Sequence, residues 1–132
     1  MNTFRSENDV EHILPESPSA VAAAEFGQGA TENGLCQRLG NLLLIERSLN
    51  RLLGNKPYSD KSKVYSQSKF LLTKCQQAKP ALGKSDQVTR ISSEVESFDA
   101  WTRETVEERQ AFLSAIARRV WNVPKRIVTA GT

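Results

Sequence analysis

Asp9-Val10-Glu11-His12-Ile13-Leu14-Pro15 sets a carboxylate directly before the only histidine of the chain, in a run that Pro15 closes. Residues 8–14 read as a short strand, because a proline cannot continue a ladder. Farther on, Leu39-Gly40-Asn41-Leu42-Leu43-Leu44-Ile45 reads as a second strand, apolar enough to be covered by helices. Ser48-Leu49-Asn50-Arg51-Leu52-Leu53 then opens a helix. The order strand, strand, helix carries Glu11 and His12 at the end of its first element, Asn41 at the start of its second and Asn50 in its third. A carboxylate next to an imidazole suggests a catalytic base beside a metal ligand. The plainer reading of His12 is a satisfied structural group, as a lone histidine among apolar residues usually is. Successive strand residues face opposite sides, so Glu11 need not touch the atom that His12 touches.

Around this unit the chain is punctuated clearly. Residues 16–37 form a long connection with Pro18, Gly27, Gly29 and Gly34, in which residues 20–26 allow one or two helical turns. So long a loop in a small domain is often functional. Val64, Ser68, Leu71, Leu72, Cys75 and Ala78 recur at helical spacing, predicting a helix over 61–79 that ends at Pro80. Residues 81–97 read as loop. Thr102 is a good N-cap for a last helix with Glu104, Glu107 and Glu108 in its first turns and Arg118 and Arg119 at its end, complementing the helix dipole. Val106, Phe112, Leu113, Ile116 and Val120 form its apolar stripe, and Trp101 and Trp121 read as packing anchors.

The 132 residues make one domain, 1–132 with a core over about 8–124, of ordinary composition at 39% hydrophobic and 25% charged. No segment has the roughly 20 apolar residues of a membrane span, and the N-terminus lacks a signal-peptide core, so a cytoplasmic location and no membrane partner are expected. Cys36 and Cys75 are far apart, and with one histidine they cannot complete a structural zinc site without acidic residues. Cys75 is expected to pack.

A net charge of +3 hides a basic middle. Over residues 38–90 eleven Lys or Arg face only Glu46, Asp60 and Asp86, a net +8. Such a segment is either a solvated face or a surface that tracks a phosphate backbone, where neutralising phosphates releases counterions.

Taken together, Glu11-His12-Ile13-Leu14-Pro15, Arg38-Leu39-Gly40-Asn41-Leu42, Asn50 and Asn55-Lys56-Pro57-Tyr58-Ser59-Asp60-Lys61 resemble the His-Me finger, or HNH, nucleases. Among these the chain looks like the C-terminal nuclease domain of GmrSD-type modification-dependent restriction enzymes. Val64 to Thr73 and Trp101 to Trp121 fit the same domain, so the resemblance spans residues 10–124. It implies an α+β fold with a ββα-metal core: a two-stranded hairpin, a short motif helix and two longer supporting helices.

The resemblance also implies chemistry. His12 takes a proton from water as general base. Asn41 joins it in the catalytic set by bonding the backbone after His12 and aiming the imidazole. Glu11 and Asn50 hold the metal, and their hard oxygen donors favour Mg²⁺, with Mn²⁺ as substitute. Arg51, Lys56 and Lys61 contact phosphates of the nucleic acid. The implied activity is metal-dependent cleavage of DNA that leaves a 5′-phosphate, in defence against phage DNA with modified cytosines. The alternative is a remnant that binds nucleic acid or a partner without cutting. Glu11 stands where the wider class has aspartate, which bears on whether the metal contact is direct. GmrSD-like proteins carry a ParB-like nucleotide-binding module, so the chain is expected to be a split-gene product with that restriction subunit encoded separately, an isolated domain or a remnant.

Overall fold

The computed structural model describes residues 7–76 and 96–121. Strand β1, Asn8–His12, pairs antiparallel with β2, Leu42–Glu46, with Glu11 opposite Leu43 and His12 opposite Leu42. Alternation then sorts the side chains. Glu11, Leu43 and Ile45 turn into the core, whereas Val10 and Leu44, paired across the strands, are exposed. In the connection, helix α1, Ala20–Phe26, occupies the span expected for it; the Ser19 hydroxyl caps it by accepting from the Ala22 N–H at 3.1 Å, and Ala22 and Phe26 are buried.

The second strand starts later than its apolar pattern suggests. Leu39–Asn41 is a 3₁₀ turn, and β2 begins only at Leu42. Gly40 explains the delay, because a Cβ there would lie 2.2 Å from the Val106 carbonyl oxygen. Only glycine allows the last helix to come so close. Arg109 of that helix, 4% exposed, donates from Nη1 to the carbonyls of Gly40 at 2.9 Å and Leu42 at 2.8 Å. Burial lowers its pKa to about 10, so it stays cationic at neutral pH.

Helix α2, Arg47–Asn50, is a single turn, followed by turns in which Gly54 takes a left-handed φ of 53°. The long helix expected over 61–79 is instead two short ones, α3, Tyr58–Tyr65, and α4, Leu71–Lys74; the end placed at Pro80 and the loop over 81–95 fall outside the described residues. Glu46 breaks it. Its Oε1 accepts from the Ser68 hydroxyl at 2.9 Å and the Lys69 N–H at 3.2 Å, while Ser68 Oγ accepts from the Phe70 N–H at 3.1 Å. These local bonds replace helical ones. They also let α4 lie along β2, where the Thr73 hydroxyl donates to the Leu44 carbonyl at 2.5 Å. Cys75 is fully buried, as expected of a packing residue.

Only one long helix therefore supports the hairpin among the described residues, not two: α5, Arg103–Trp121. Thr102 and Thr105 cap it reciprocally, each hydroxyl accepting the other's N–H. Its apolar stripe is buried only near the start. Val106 is inaccessible and Phe112, Leu113 and Ile116 are half-buried, but Val120 and Trp121 are 67% and 76% exposed, so Trp121 is not a packing anchor. Trp101 is one, 1% exposed, with Phe98 edge-on at 5.4 Å and Tyr58 at 5.6 Å. Ile13, Leu14, Leu43, Ile45 and Tyr65 complete the core beneath the hairpin.

Candidate active site

His12 closes β1, and its side chain is 22% exposed. Its Nε2 lies 3.1 Å from Gln37 Oε1, and Gln37 Nε2 donates to Glu16 Oε2 at 3.0 Å. Glu16 Oε1 stands 3.7 Å from Nε2.

Glu11, on the other face of β1, is 6% exposed. Its Oε1 accepts from Lys61 Nζ at 2.5 Å and from the Tyr65 hydroxyl at 3.2 Å. Lys61 thus belongs to the interior, and its expected place on a phosphate-binding surface is corrected: the side chain is fully inaccessible, and Nζ also donates to the carbonyls of His12 at 2.9 Å and Ile13 at 3.3 Å. One ammonium therefore holds both the carboxylate and the backbone that presents His12. Burial raises the pKa of Glu11 and lowers that of Lys61, against their mutual attraction, which works the other way on each. Removing one member of such a pair strands the other's charge in the core. Lys61→Met is expected to lose about 3 kcal/mol of stability in urea unfolding, and Glu11→Leu combined with Lys61→Met to recover much of it; a single variant as stable as the wild type overturns the assignment.

Asn41 is fully buried, and its amide makes four hydrogen bonds. Oδ1 accepts from the Leu14 N–H at 2.8 Å and from Trp101 Nε1 at 3.0 Å, and Nδ2 donates to the carbonyls of Leu14 at 3.0 Å and Cys36 at 2.9 Å. Two acceptor and two donor positions are all an amide has. Leu14 is two residues past His12, so this clamp holds the chain that leaves β1.

Asn50 ends α2, and its Nδ2 donates to Asp9 Oδ2 at 3.1 Å. Arg47 Nε donates to the other oxygen of Asp9, Oδ1, also at 3.1 Å. The Asn50 and Arg47 hydrogen bonds hold the Asp9 carboxyl below its ordinary pKa. A carboxylate only accepts, so Asp9 fixes the Asn50 amide group toward itself and turns Oδ1 away.

Glu11, His12, Glu16 and Asn50 line one open depression of about 290 Å³. Two of its oxygen donors suit a hard cation. Both hydrogen bonds to Glu11 end on Oε1, leaving Oε2, and Asp9 leaves Asn50 its Oδ1. Among the described residues no three His, Cys, Asp or Glu side chains converge, so the donor set is sparse. Sparse oxygen donors fit Mg²⁺, which keeps several waters and takes one or two protein ligands beside substrate phosphate. Arg51 is exposed in a neighbouring hollow of about 310 Å³, with Arg47 and Lys69. Lys56 is exposed as well, its Nζ on the Leu52 carbonyl at 3.0 Å.

Glu11, His12 and Asn50 are brought together, Asn41 is held behind them and Lys61 beneath. Five partners escape a reading of the sequence: Asp9, Glu16, Gln37, Tyr65 and Trp101. Asp9 alone carries a signal, two residues before Glu11 and hence on the same strand face.

A two-stranded antiparallel hairpin among helices, with Glu11, His12 and Asn50 around one depression, defines a small α+β domain. The family model described as "GmrSD restriction endonucleases, C-terminal domain" matches residues 1–116, and the chain belongs to that family. No curated protein and no solved structure matches it. Among the described residues no helix is long and apolar enough to cross a membrane.

Proposed function

We propose that this restriction-endonuclease-type domain cleaves DNA phosphodiester bonds with His12 as general base and a divalent cation, Mg²⁺ or Mn²⁺, held by Glu11 and Asn50. The carrying observation is that Glu11, His12 and Asn50 all border the same depression. The succession β1, β2, α2 then serves as a ββα-metal motif, with the turn of α2 supplying Asn50.

Hydrolysis needs a deprotonated water in line with the leaving oxygen and positive charge where negative charge develops. A bound cation supplies that charge at the phosphate. The remaining work falls to the protein. His12 removes a water proton as the new phosphorus–oxygen bond forms and the bond to the 3′ oxygen breaks; the departing oxygen is reprotonated from solvent, leaving a 5′-phosphate. Lys61 and Asn41 keep the His12 backbone in place, and Asp9 orients Asn50. Arg51 and Lys56 meet flanking phosphates.

Plasmid cleavage by the purified chain tests the reading, with Mg²⁺, Mn²⁺ or EDTA and DNA with or without modified cytosines. Metal-dependent nicking supports it, and preference for modified DNA supports a role in defence against phage. No cleavage under any condition leaves the alternative, a binding remnant, which the retained set of Glu11, His12, Asn41 and Asn50 disfavours. A fragment with its own nucleotide-dependent partner stays inert alone and gains activity when a ParB-like subunit is added. For the surface cations, Arg51→Ala and Lys56→Ala are each expected to flatten the dependence of log K on log salt by about one unit per lost phosphate contact. Anisotropy titrations at several salt concentrations measure it, and unchanged slopes in both remove them from the interface.

A further inference from the structure

We propose that Glu16 and Gln37 are positioning residues that lock His12 in the tautomer with its proton on Nε2, leaving Nδ1 as the basic nitrogen. The inference rests on the reading of His12 as general base. Glu16, 63% exposed in its side chain, is a carboxylate and can only accept. Gln37 Nε2 donates to Glu16 Oε2 at 3.0 Å, so the Gln37 amide cannot turn over without setting its carbonyl against a carboxylate. Gln37 Oε1 is thereby presented to His12 Nε2 at 3.1 Å, and an acceptor at that distance requires a proton on the ring nitrogen. A neutral imidazole carries one proton, and so Nδ1 is bare. Among the described residues no hydrogen bond reaches Nδ1, which is left for water.

The chemistry gains in two ways. A ring free of this constraint divides its proton between the two nitrogens and spends part of its time unable to accept at Nδ1. Once Nδ1 has taken the water's proton and the hydroxide keeps the electron pair, the imidazolium retains its bond from Nε2 to Gln37 and faces the Glu16 carboxylate at 3.7 Å. The long connection between the strands thus serves the chemistry by bringing Glu16 and Gln37, one at each of its ends, over the end of β1.

The single histidine of the chain makes the test direct. A long-range ¹H–¹⁵N spectrum of the labelled chain, at a pH where the ring is neutral, contains one imidazole. In the wild type Nε2 is expected to carry the proton and Nδ1 to resonate as an unprotonated nitrogen. In Gln37→Ala both signals should move toward a mixture of tautomers. Glu16→Gln, an exposed change that spares the fold, should move them part of the way, because the Gln37 amide can then present either end. In Mg²⁺-dependent cleavage, kcat should fall roughly 3- to 10-fold in Gln37→Ala, the size of one lost hydrogen bond, with little change in KM. Gln37→Ala should have no further effect on a His12→Ala background. A wild-type proton on Nδ1, or spectra unchanged in both variants, overturns the proposal. A wild type that cleaves nothing, alone or with a ParB-like subunit and nucleotide added, yet shows the expected spectra supports the tautomer lock and defeats the nuclease reading instead.

Discussion

His12→Ala is expected to cut plasmid about 10²–10⁴-fold more slowly than the wild type, the range for a lost general base, with DNA affinity and unfolding midpoint nearly unchanged. The separation follows from where the ring sits. Its side chain is 22% exposed beside the depression, and among the described residues its hydrogen bond runs to Gln37. Truncation removes little packing. The Lys61 bond to the His12 carbonyl is made by backbone and survives the change. Single-turnover cleavage gels with matched protein preparations measure the rate, and fluorescence anisotropy the affinity. Equal rates for the two chains take His12 out of the mechanism. A rate lost together with the folded state makes His12 structural, the plain reading of a lone histidine.

Asn41→Ala should act in the opposite way, through stability. The truncation orphans the Leu14 N–H, Trp101 Nε1 and the carbonyls of Leu14 and Cys36, all bonded by this one amide. Each buried polar group left without a partner costs about 1–3 kcal/mol, so four of them should cost roughly 4–12 kcal/mol. That approaches the whole stability of many domains, roughly 5–15 kcal/mol, and urea unfolding in the cold is the suitable measurement. Asn41→Asp keeps both accepted bonds but buries a carboxylate oxygen against the carbonyls of Leu14 and Cys36, and should be destabilised as well. In whatever fraction stays folded, the Mg²⁺ concentration for half-maximal cleavage should not move, whereas Glu11→Ala and Asn50→Ala should raise it. A loss under about 1 kcal/mol in Asn41→Ala contradicts the clamp.

Lys61 shows most sharply where sequence reading stops. Within a basic segment a lysine after Tyr58-Ser59-Asp60 looks like every other surface cation, and nothing local marks it as buried. Its fate depends on Glu11, fifty positions away, which the hairpin turns into the core beneath α3. The same reason hides the break between α3 and α4. Apolar spacing runs unbroken from Val64 to Cys75, but the carboxylate of Glu46, brought alongside by β2, offers Ser68 and Lys69 better partners than a helix does. Trp121 misleads by symmetry with Trp101: both are aromatic at the ends of one helix, yet the core lies under one end alone.

The sequence by itself determined the two strands of the hairpin but not their ends, since β1 stops at His12 rather than at Leu14 and β2 starts at Leu42. It determined the start of α5, which capping by Thr102 specifies locally, and the family, whose resemblance was legible in Glu11, His12, Asn41 and Asn50. Tertiary structure alone decided which charges face solvent and which partner each polar group finds. Lys61 went to Glu11, Asp9 to Asn50 and Gln37 to His12, over separations of 50, 41 and 25 residues. The physical reason is burial: a carboxylate or amide withdrawn from water must be satisfied by whatever the fold brings within hydrogen-bond reach, and that neighbour is set by packing rather than by position along the chain.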